Sequence, residues 1–90
     1  MLDKNKKQRI IEKYKTHESD TGSPQVQIAI LTEEVKELTT HLRQHKKDFS
    51  SRRGLIKKVT ERRRLMRYLK REDNKAYEQL VEDLKLRAIN

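Results

Sequence analysis

Apolar residues recur at intervals of three and four along most of the chain, and strict alternation of apolar and polar residues is absent. This spacing is typical of amphipathic helices. It predicts helices at about 4–15, 24–44, 51–72 and 74–86. The expected fold class is therefore all-α: a small four-helix protein with short loops that forms a single domain over residues 1–90.

The clearest apolar stripe lies in the second predicted helix, where it has the spacing of a seam packed nearly antiparallel to another helix. Its members are Ile28, Leu31, Val35, Leu38 and Leu42. The inward positions predicted for the third helix are Leu55, Val59, Met66 and Leu69. Arg62 falls at an angle within that third-helix stripe, and we expect its stem to carry the charge outward to water.

Polar residues that favour helix ends mark the predicted boundaries. Ser23 is expected to cap the second helix, with Pro24 at its first position, where the missing N–H costs little. Ser50 or Ser51 is expected to cap the third helix, and Asp73 or Asn74 the fourth.

The charge of the chain is concentrated in one block. Residues 43–75 hold fourteen Lys and Arg against four acids, a net +10, while the whole chain carries +9. Such a concentration predicts a polyanionic partner, most simply nucleic acid. Cys is absent, which excludes a disulfide framework and suits a cytoplasmic protein. The longest apolar run, 28–31, is too short for a membrane span, and no signal peptide is expected.

Opposite the third helix's apolar stripe, a basic face surrounds Tyr68. It comprises Arg53, Lys57, Arg64, Arg67 and Arg71. Arginine can bind phosphate with two donors while a tyrosine ring stacks on a base or sugar. The alternative is a solvated face on which Tyr68 folds against its neighbours by cation–π contact. The block of like charge favours the binding interpretation.

Polar residues repeat every seven positions along one flank of the second helix and just beyond it: Gln27, Glu34, His41 and Asp48. Gln27 and His41 would lie ~21 Å apart along the helix axis. They could therefore serve two separate contacts on an extended ligand. The usual alternative is that they are ordinary polar flank positions.

The junction of helices two and three brings together four candidate ligand residues: His41, His45, Asp48 and Ser51. A metal site is disfavoured because the surroundings are strongly cationic. Asp48 can be a local cap, or an acceptor for the guanine N2 amino group in a minor groove, and the two roles are compatible. We predict no metal, no cofactor and no enzymatic constellation.

The pattern Leu38-x-x-His41-Leu42, Asp48-x-x-Ser51-x-x-x-Leu55 and Leu65-x-x-Tyr68 resembles the signature of bacterial-type small-subunit ribosomal protein fifteen, the uS15 family. Asp20-Thr21-Gly22-Ser23-Pro24 and Ser51-Arg52-Arg53-Gly54-Leu55 resemble it too. The resemblance implies a three-helix bundle with a mobile N-terminal helix. It also implies binding to the central domain of small-subunit ribosomal RNA.

The resemblance further assigns residues to RNA elements. A three-way junction would be contacted by Thr21, Gly22, Gln27, Tyr68 and Arg71, and a minor groove with a G·U/G·C element by His41, Asp48 and Ser51. Additional phosphate contacts are expected from His45, Arg52, Arg53, Lys57 and Arg64. The resemblance implies a monomer when free, a role in assembly before small-subunit proteins six and eighteen, and a contribution to a bridge to large-subunit RNA.

Two segments depart from the family pattern. Phe49-Ser50 stands where the resemblance implies His-His in many members, so a contact made by those imidazoles does not carry over to this chain by position. Lys85 stands where a glycine is common, which suggests that the last helix runs on. The functional alternatives are a helical interaction module that pairs through the 28–42 seam and a basic amphipathic membrane-surface protein. The latter lacks an exposed apolar face, since the stripes are needed for the bundle.

Overall fold

The computed structural model describes residues 4–14 and 22–86. Within these residues it contains four helices and no strand: α1 (Lys4–Tyr14), α2 (Pro24–Gln44), α3 (Phe49–Glu72) and α4 (Asn74–Leu84). The all-α prediction is confirmed. Lys15, the last residue predicted for the first helix, lies outside the described part of the chain.

The core forms where α2, α3 and α4 meet. Its buried cluster is Ile28, Met66, Leu69, Tyr77 and Leu80, with Ile28 fully inaccessible to solvent. The other predicted inward residues of α2 and α3, apart from the buried Leu38, are only half-buried: Leu31, Val35, Leu42, Leu55 and Val59. A chain of this size has too little volume to enclose every apolar stripe completely.

Helix α1 lies against α2 without burying any of its residues completely. Tyr14 packs at the edge of the core, and Lys6 forms ion pairs with Glu37 at 3.2 Å and Glu33 at 3.5 Å. The hydrogen bond to Glu37 is the main reason that the pKa of Lys6 is raised. The mobility of this helix stays a prediction.

Two predicted caps are confirmed and one is wrong. The Ser23 hydroxyl accepts the Val26 amide at 3.4 Å, and the Asp73 carboxylate accepts the Ala76 amide at 3.1 Å. Helix α3, however, begins at Phe49, so the cap predicted at Ser50 or Ser51 is wrong. The cap is Asp48, which confirms the role of local cap that the sequence also predicted for this residue. The charged carboxylate is the stronger acceptor for the free amides of the first turn.

The last helix ends at Leu84, so the prediction that it runs to 86 and beyond is wrong. Lys85 adopts the left-handed conformation, with φ 55° and ψ 43°. The Leu86 amide then donates to the Val81 carbonyl at 3.0 Å, and the Lys85 amide donates to the Glu82 carbonyl at 3.3 Å. This Schellman arrangement satisfies carbonyls at the helix end although a lysine occupies the position that favours glycine.

Arg62 remains half-buried instead of extending fully into water. Its Nη1 donates to the Thr32 hydroxyl at 3.5 Å, and that hydroxyl donates to the Ile28 carbonyl at 2.8 Å. Burial, assisted by the neighbouring Arg63, lowers the pKa of the Arg62 guanidinium. The expectation of an outward charge is therefore corrected: the head group stays against α2.

Candidate nucleic-acid interface

Three predicted groove residues form one hydrogen-bonded cluster, the His41 cluster, consisting of His41, Asp48 and Ser51. His41 comes from the end of α2, Asp48 caps α3, and Ser51 lies in the first turn of α3. Asp48 Oδ2 lies 2.7 Å from His41 Nε2 and accepts the Ser51 hydroxyl at 2.7 Å. Asp48 Oδ1 accepts the Ser51 amide at 3.1 Å. The cap and the cluster are thus one structure.

These contacts keep Asp48 ionised. The hydrogen bond from the Ser51 side chain, followed by that from His41 and by the Ser51 amide, holds the pKa of Asp48 well below its usual range. A carboxylate offers about four lone-pair positions, and three are used inside the cluster. The side chain of Asp48 is still 33% exposed, so one acceptor position on Oδ1 remains for a ligand.

The His41 cluster also fixes how His41 meets solvent. Because Nε2 lies within hydrogen-bonding distance of an ionised carboxylate, it carries the proton. In the neutral ring, Nδ1 is then an acceptor for an amino or hydroxyl group. The His45 ring stacks on His41 with centroids 4.6 Å apart. His41 is therefore contacted by Asp48 at one ring nitrogen and by His45 on one ring face.

A cleft of about 500 Å³ opens beside this cluster. It is lined by His41, Arg43, Gln44, His45, Lys46, Lys47 and Asp48. Three of these residues, Arg43, Lys46 and Lys47, had been predicted only as members of the charge block. These cations lie around an acid, so we expect them to attract a polyanion while the acid limits which part of that polyanion can approach.

A second surface, the Tyr68 cleft, lies where the start of α2 faces the C-terminal half of α3. Its volume is about 590 Å³, and its lining is Gly22, Pro24, Gln27, Arg64, Leu65, Arg67, Tyr68 and Arg71. Four of the five residues predicted to contact a junction are therefore brought together. The fifth, Thr21, lies outside the described residues.

The Tyr68 ring lines this cleft. It is 46% exposed, and the Arg71 guanidinium carbon lies 5.6 Å from its centroid. The cation–π contact of the alternative interpretation is therefore present. The ring also stays accessible, and its stacking on a base or sugar stays a prediction. The Gln27 side chain donates to the Gly22 carbonyl, which fixes the loop before α2. Arg71 also pairs with Glu72 at 3.3 Å.

Four of the five predicted phosphate ligands fall into two groups, and the fifth, His45, stacks on His41. Arg53 and Lys57 are exposed and have no ion-pair partner within residues 4–14 and 22–86. Arg64 pairs with Glu61 at 3.4 Å, and Arg52 donates to the Lys46 carbonyl at 3.0 Å. The first two cations are therefore freer to bind phosphate than the second two.

Two contacts made by charged residues were not predicted from the sequence. Glu34, from the seven-residue repeat, pairs with Lys58 at 3.2 Å and holds α2 to α3 instead of facing a ligand. Arg52 lies over the Phe49 ring at 5.7 Å. The spacing of Phe49 and Arg52, three residues apart on a helix, was a signal for that contact.

Two further predictions concern metals and membranes. In the described ranges, no three potential ligands converge as a metal site would require. None of the helices within those ranges has both the length and the apolar character needed to cross a membrane. The apolar seam of α2 contributes Ile28 and Leu38 to the interior of the bundle.

Sequence comparison gives a consistent assignment. The family model for ribosomal protein S15 matches residues 6–87. The chain is 59% identical over 86 residues to small ribosomal subunit protein uS15 of Carboxydothermus hydrogenoformans, covering 96% of this chain and 97% of the relative. It is 56% identical to the protein of the same name from Nitratiruptor sp. over 86 residues, with 96% and 97% covered. The chain therefore belongs to the ribosomal protein S15 family.

Proposed function

We propose that this protein binds small-subunit ribosomal RNA through the Tyr68 cleft and the His41 cluster, and so fixes the relative position of two RNA elements. As a member of the ribosomal protein S15 family, it is a structural component of the small ribosomal subunit. The observation that carries the proposal is that polar residues gather in two separate places on a strongly basic protein, the Tyr68 cleft and the His41 cluster. Neither cluster is needed to form the core.

The basic residues supply affinity that does not depend on sequence. Each phosphate neutralised by lysine or arginine releases condensed counterions, so binding weakens as salt increases. Arg53 and Lys57 support this role, because the described residues offer them no competing carboxylate. This electrostatic attraction acts on any nucleic acid. The Tyr68 cleft and the His41 cluster must therefore provide the selectivity.

The Tyr68 cleft suits a three-way RNA junction. The convex surface of an RNA junction can fit into a concave cleft. Because the strands of a junction turn sharply, phosphates from different arms lie close together. Arg64, Arg67 and Arg71 surround such a point, while Tyr68 offers a face for a base or sugar. The backbone around Gly22 lies at the rim, where RNA can approach without meeting a side chain.

The His41 cluster suits a minor groove. Guanine exposes an N2 amino donor there, and RNA adds 2′-hydroxyl groups. The remaining acceptor position on Asp48 can take the amino group, while Nδ1 of His41 can accept a hydroxyl. A phosphate would be repelled by the ionised carboxylate. The cluster therefore selects a base edge rather than the backbone.

The proposal extends to assembly. Gln27 and His41 are separated by ~21 Å along the axis of α2. A protein that contacts a junction and a nearby groove at this separation restricts the angle between the RNA arms. We propose that it organises the central domain in this way for small-subunit proteins six and eighteen and contributes to a bridge with large-subunit RNA. We expect it to act as a monomer.

Binding to a three-way-junction RNA and to duplex DNA of equal length, measured across a salt series, tests the proposal. We expect tighter binding to the junction RNA at every salt concentration, with a preference that persists as the electrostatic term is screened. Equal affinities with equal slopes would show that only charge is recognised, and would refute the proposal.

A further inference from the structure

Phe49 is an exposed aromatic residue in a place where folding does not require one. It is 64% exposed, more than Ile56 at 61% or Tyr68 at 46%. It is the first residue of α3 and directly follows Asp48 of the His41 cluster. An exposed phenylalanine at this point adds nothing to the core, so its ring is available for a partner.

The ring has a fixed neighbour on one side. The guanidinium carbon of Arg52 lies 5.7 Å from the ring centroid, within the range of a cation–π contact. Arg52 Nη2 also donates to the Lys46 carbonyl at 3.0 Å, in the turn that precedes α3. This second contact limits the motion of the guanidinium and keeps it beside the ring. The large exposed fraction of Phe49 leaves the rest of the ring open.

The charges around the ring indicate what can cover it. Exposed cations lie on both sides in the sequence, at Arg43, Lys46, Lys47 and Arg53. An apolar protein segment would gain contact with the ring but would leave these cations without partners. A nucleotide provides a flat apolar face for the ring and an anionic backbone for the cations. The chemistry therefore matches a nucleobase better than an aliphatic side chain.

We propose that Phe49 and Arg52 form a stacking platform for an unpaired RNA base next to the His41 cluster. The inference rests on the proposed RNA-binding function and adds a single-stranded nucleotide to the duplex groove recognised by the cluster.

A fluorescence experiment tests the platform directly. The chain has no tryptophan, so Phe49→Trp introduces a single indole at the proposed site. Ile56→Trp is the matched control, because Ile56 is about as exposed and lies on the same helix. With an unstructured RNA oligonucleotide as the probe, we expect strong quenching of Trp emission in Phe49→Trp and little in Ile56→Trp. Equal quenching in both variants would overturn the proposal.

Affinity provides the second measurement. Phe49→Leu keeps an apolar side chain but removes the aromatic face, and it should weaken binding of the oligonucleotide about tenfold. Ile56→Ala should leave that affinity unchanged. Because Phe49 is exposed, both variants should fold, which their helical circular dichroism would verify. An unchanged affinity of Phe49→Leu would refute the platform.

The junction RNA separates this inference from the proposed function. If wild type prefers junction RNA to duplex DNA while Phe49→Leu binds the oligonucleotide as wild type does, the platform is wrong and the proposed function stands. If neither the wild type nor any variant distinguishes junction RNA from duplex DNA, the proposed function is wrong. Quenching confined to Phe49→Trp would then still support the platform as a stacking site for single-stranded RNA.

Discussion

Asp48 Oδ2 lies 2.7 Å from His41 Nε2 and joins the end of α2 to the start of α3. The same carboxylate caps α3 through the Ser51 amide. One side chain therefore fixes the turn between the helices and the orientation of the imidazole. This dual role explains how an acid can be useful on a surface that attracts a polyanion: it organises hydrogen-bond partners and stays ionised while doing so.

The first prediction concerns the titration of Asp48. Its pKa is lowered from 3.8, chiefly by the Ser51 side chain. The carboxylate therefore stabilises the folded state fully above pH 3.8, and this contribution is lost as the pH falls through the lower folded-state value. We expect Ser51→Ala to move the pKa of Asp48 back toward 3.8, measured by carboxyl-carbon NMR during an acid titration.

Ser50→Ala is the matched control for that titration, because Ser50 is exposed and adjacent. It should leave the titration of Asp48 unchanged. If both serine variants shift the Asp48 resonance equally, the hydrogen bond from the Ser51 side chain is not the cause of the lowered pKa.

The second prediction distinguishes free cations from paired ones. Removing a phosphate-binding cation reduces the salt slope by about one unit. We expect Arg53→Ala to approach that full value. Arg64→Ala should give a smaller reduction, because Arg64 already pairs with Glu61 at 3.4 Å. The measurement is the affinity for junction RNA over a salt series.

One further variant tests whether the ion pair of Arg64 causes the difference expected between Arg53→Ala and Arg64→Ala. Glu61→Gln removes the competing carboxylate, so the slope of that variant should become steeper than that of wild type. A larger effect of Arg64→Ala than of Arg53→Ala would contradict the assignment of Arg64 as a partly neutralised cation.

The third prediction concerns the end of α4. Lys85 has φ 55°, a conformation that costs a residue with a Cβ about 1 kcal/mol or more relative to its usual backbone. Lys85→Gly should increase the free energy of unfolding by roughly 0.5–1 kcal/mol, the balance of relieved strain and glycine's greater freedom when unfolded. Urea unfolding followed by circular dichroism measures the change.

Glu82→Gly is the corresponding control within the same helix. Glycine has no advantage at an ordinary helical position, so this change should destabilise the protein by about 1 kcal/mol. A loss of stability in Lys85→Gly similar to that in Glu82→Gly would mean that the left-handed conformation imposes no strain.

The sequence predicted most of the helices, because periodicity and capping residues act locally. Ser23 with Pro24 marked the start of α2 correctly, and Asp73 marked that of α4. The start of α3 was misplaced because three candidates within four positions, Asp48, Ser50 and Ser51, compete for the cap. The choice depends on His41, which lies in the preceding helix and stabilises Asp48 at the capping position.

The sequence predicted only in part which residues lie close together at the candidate interface. Helical angles place Arg64, Tyr68 and Arg71 on one face, but they do not show that the start of α2 lies opposite them. The contact between Arg62 and Thr32 likewise depends on how α2 and α3 pack. Such contacts between helices are set by tertiary geometry, which the pattern of a single helix does not contain.

Binding of paired protein and RNA variants tests the central claim most directly. The RNAs carry the junction alone, the groove element alone or both, and the proteins are wild type, Tyr68→Leu and Asp48→Asn. We expect Tyr68→Leu to weaken binding only where the junction is present, and Asp48→Asn only where the groove element is present. If each variant weakened binding to all three RNAs equally, the Tyr68 cleft and the His41 cluster would not recognise separate elements, and the account would be wrong.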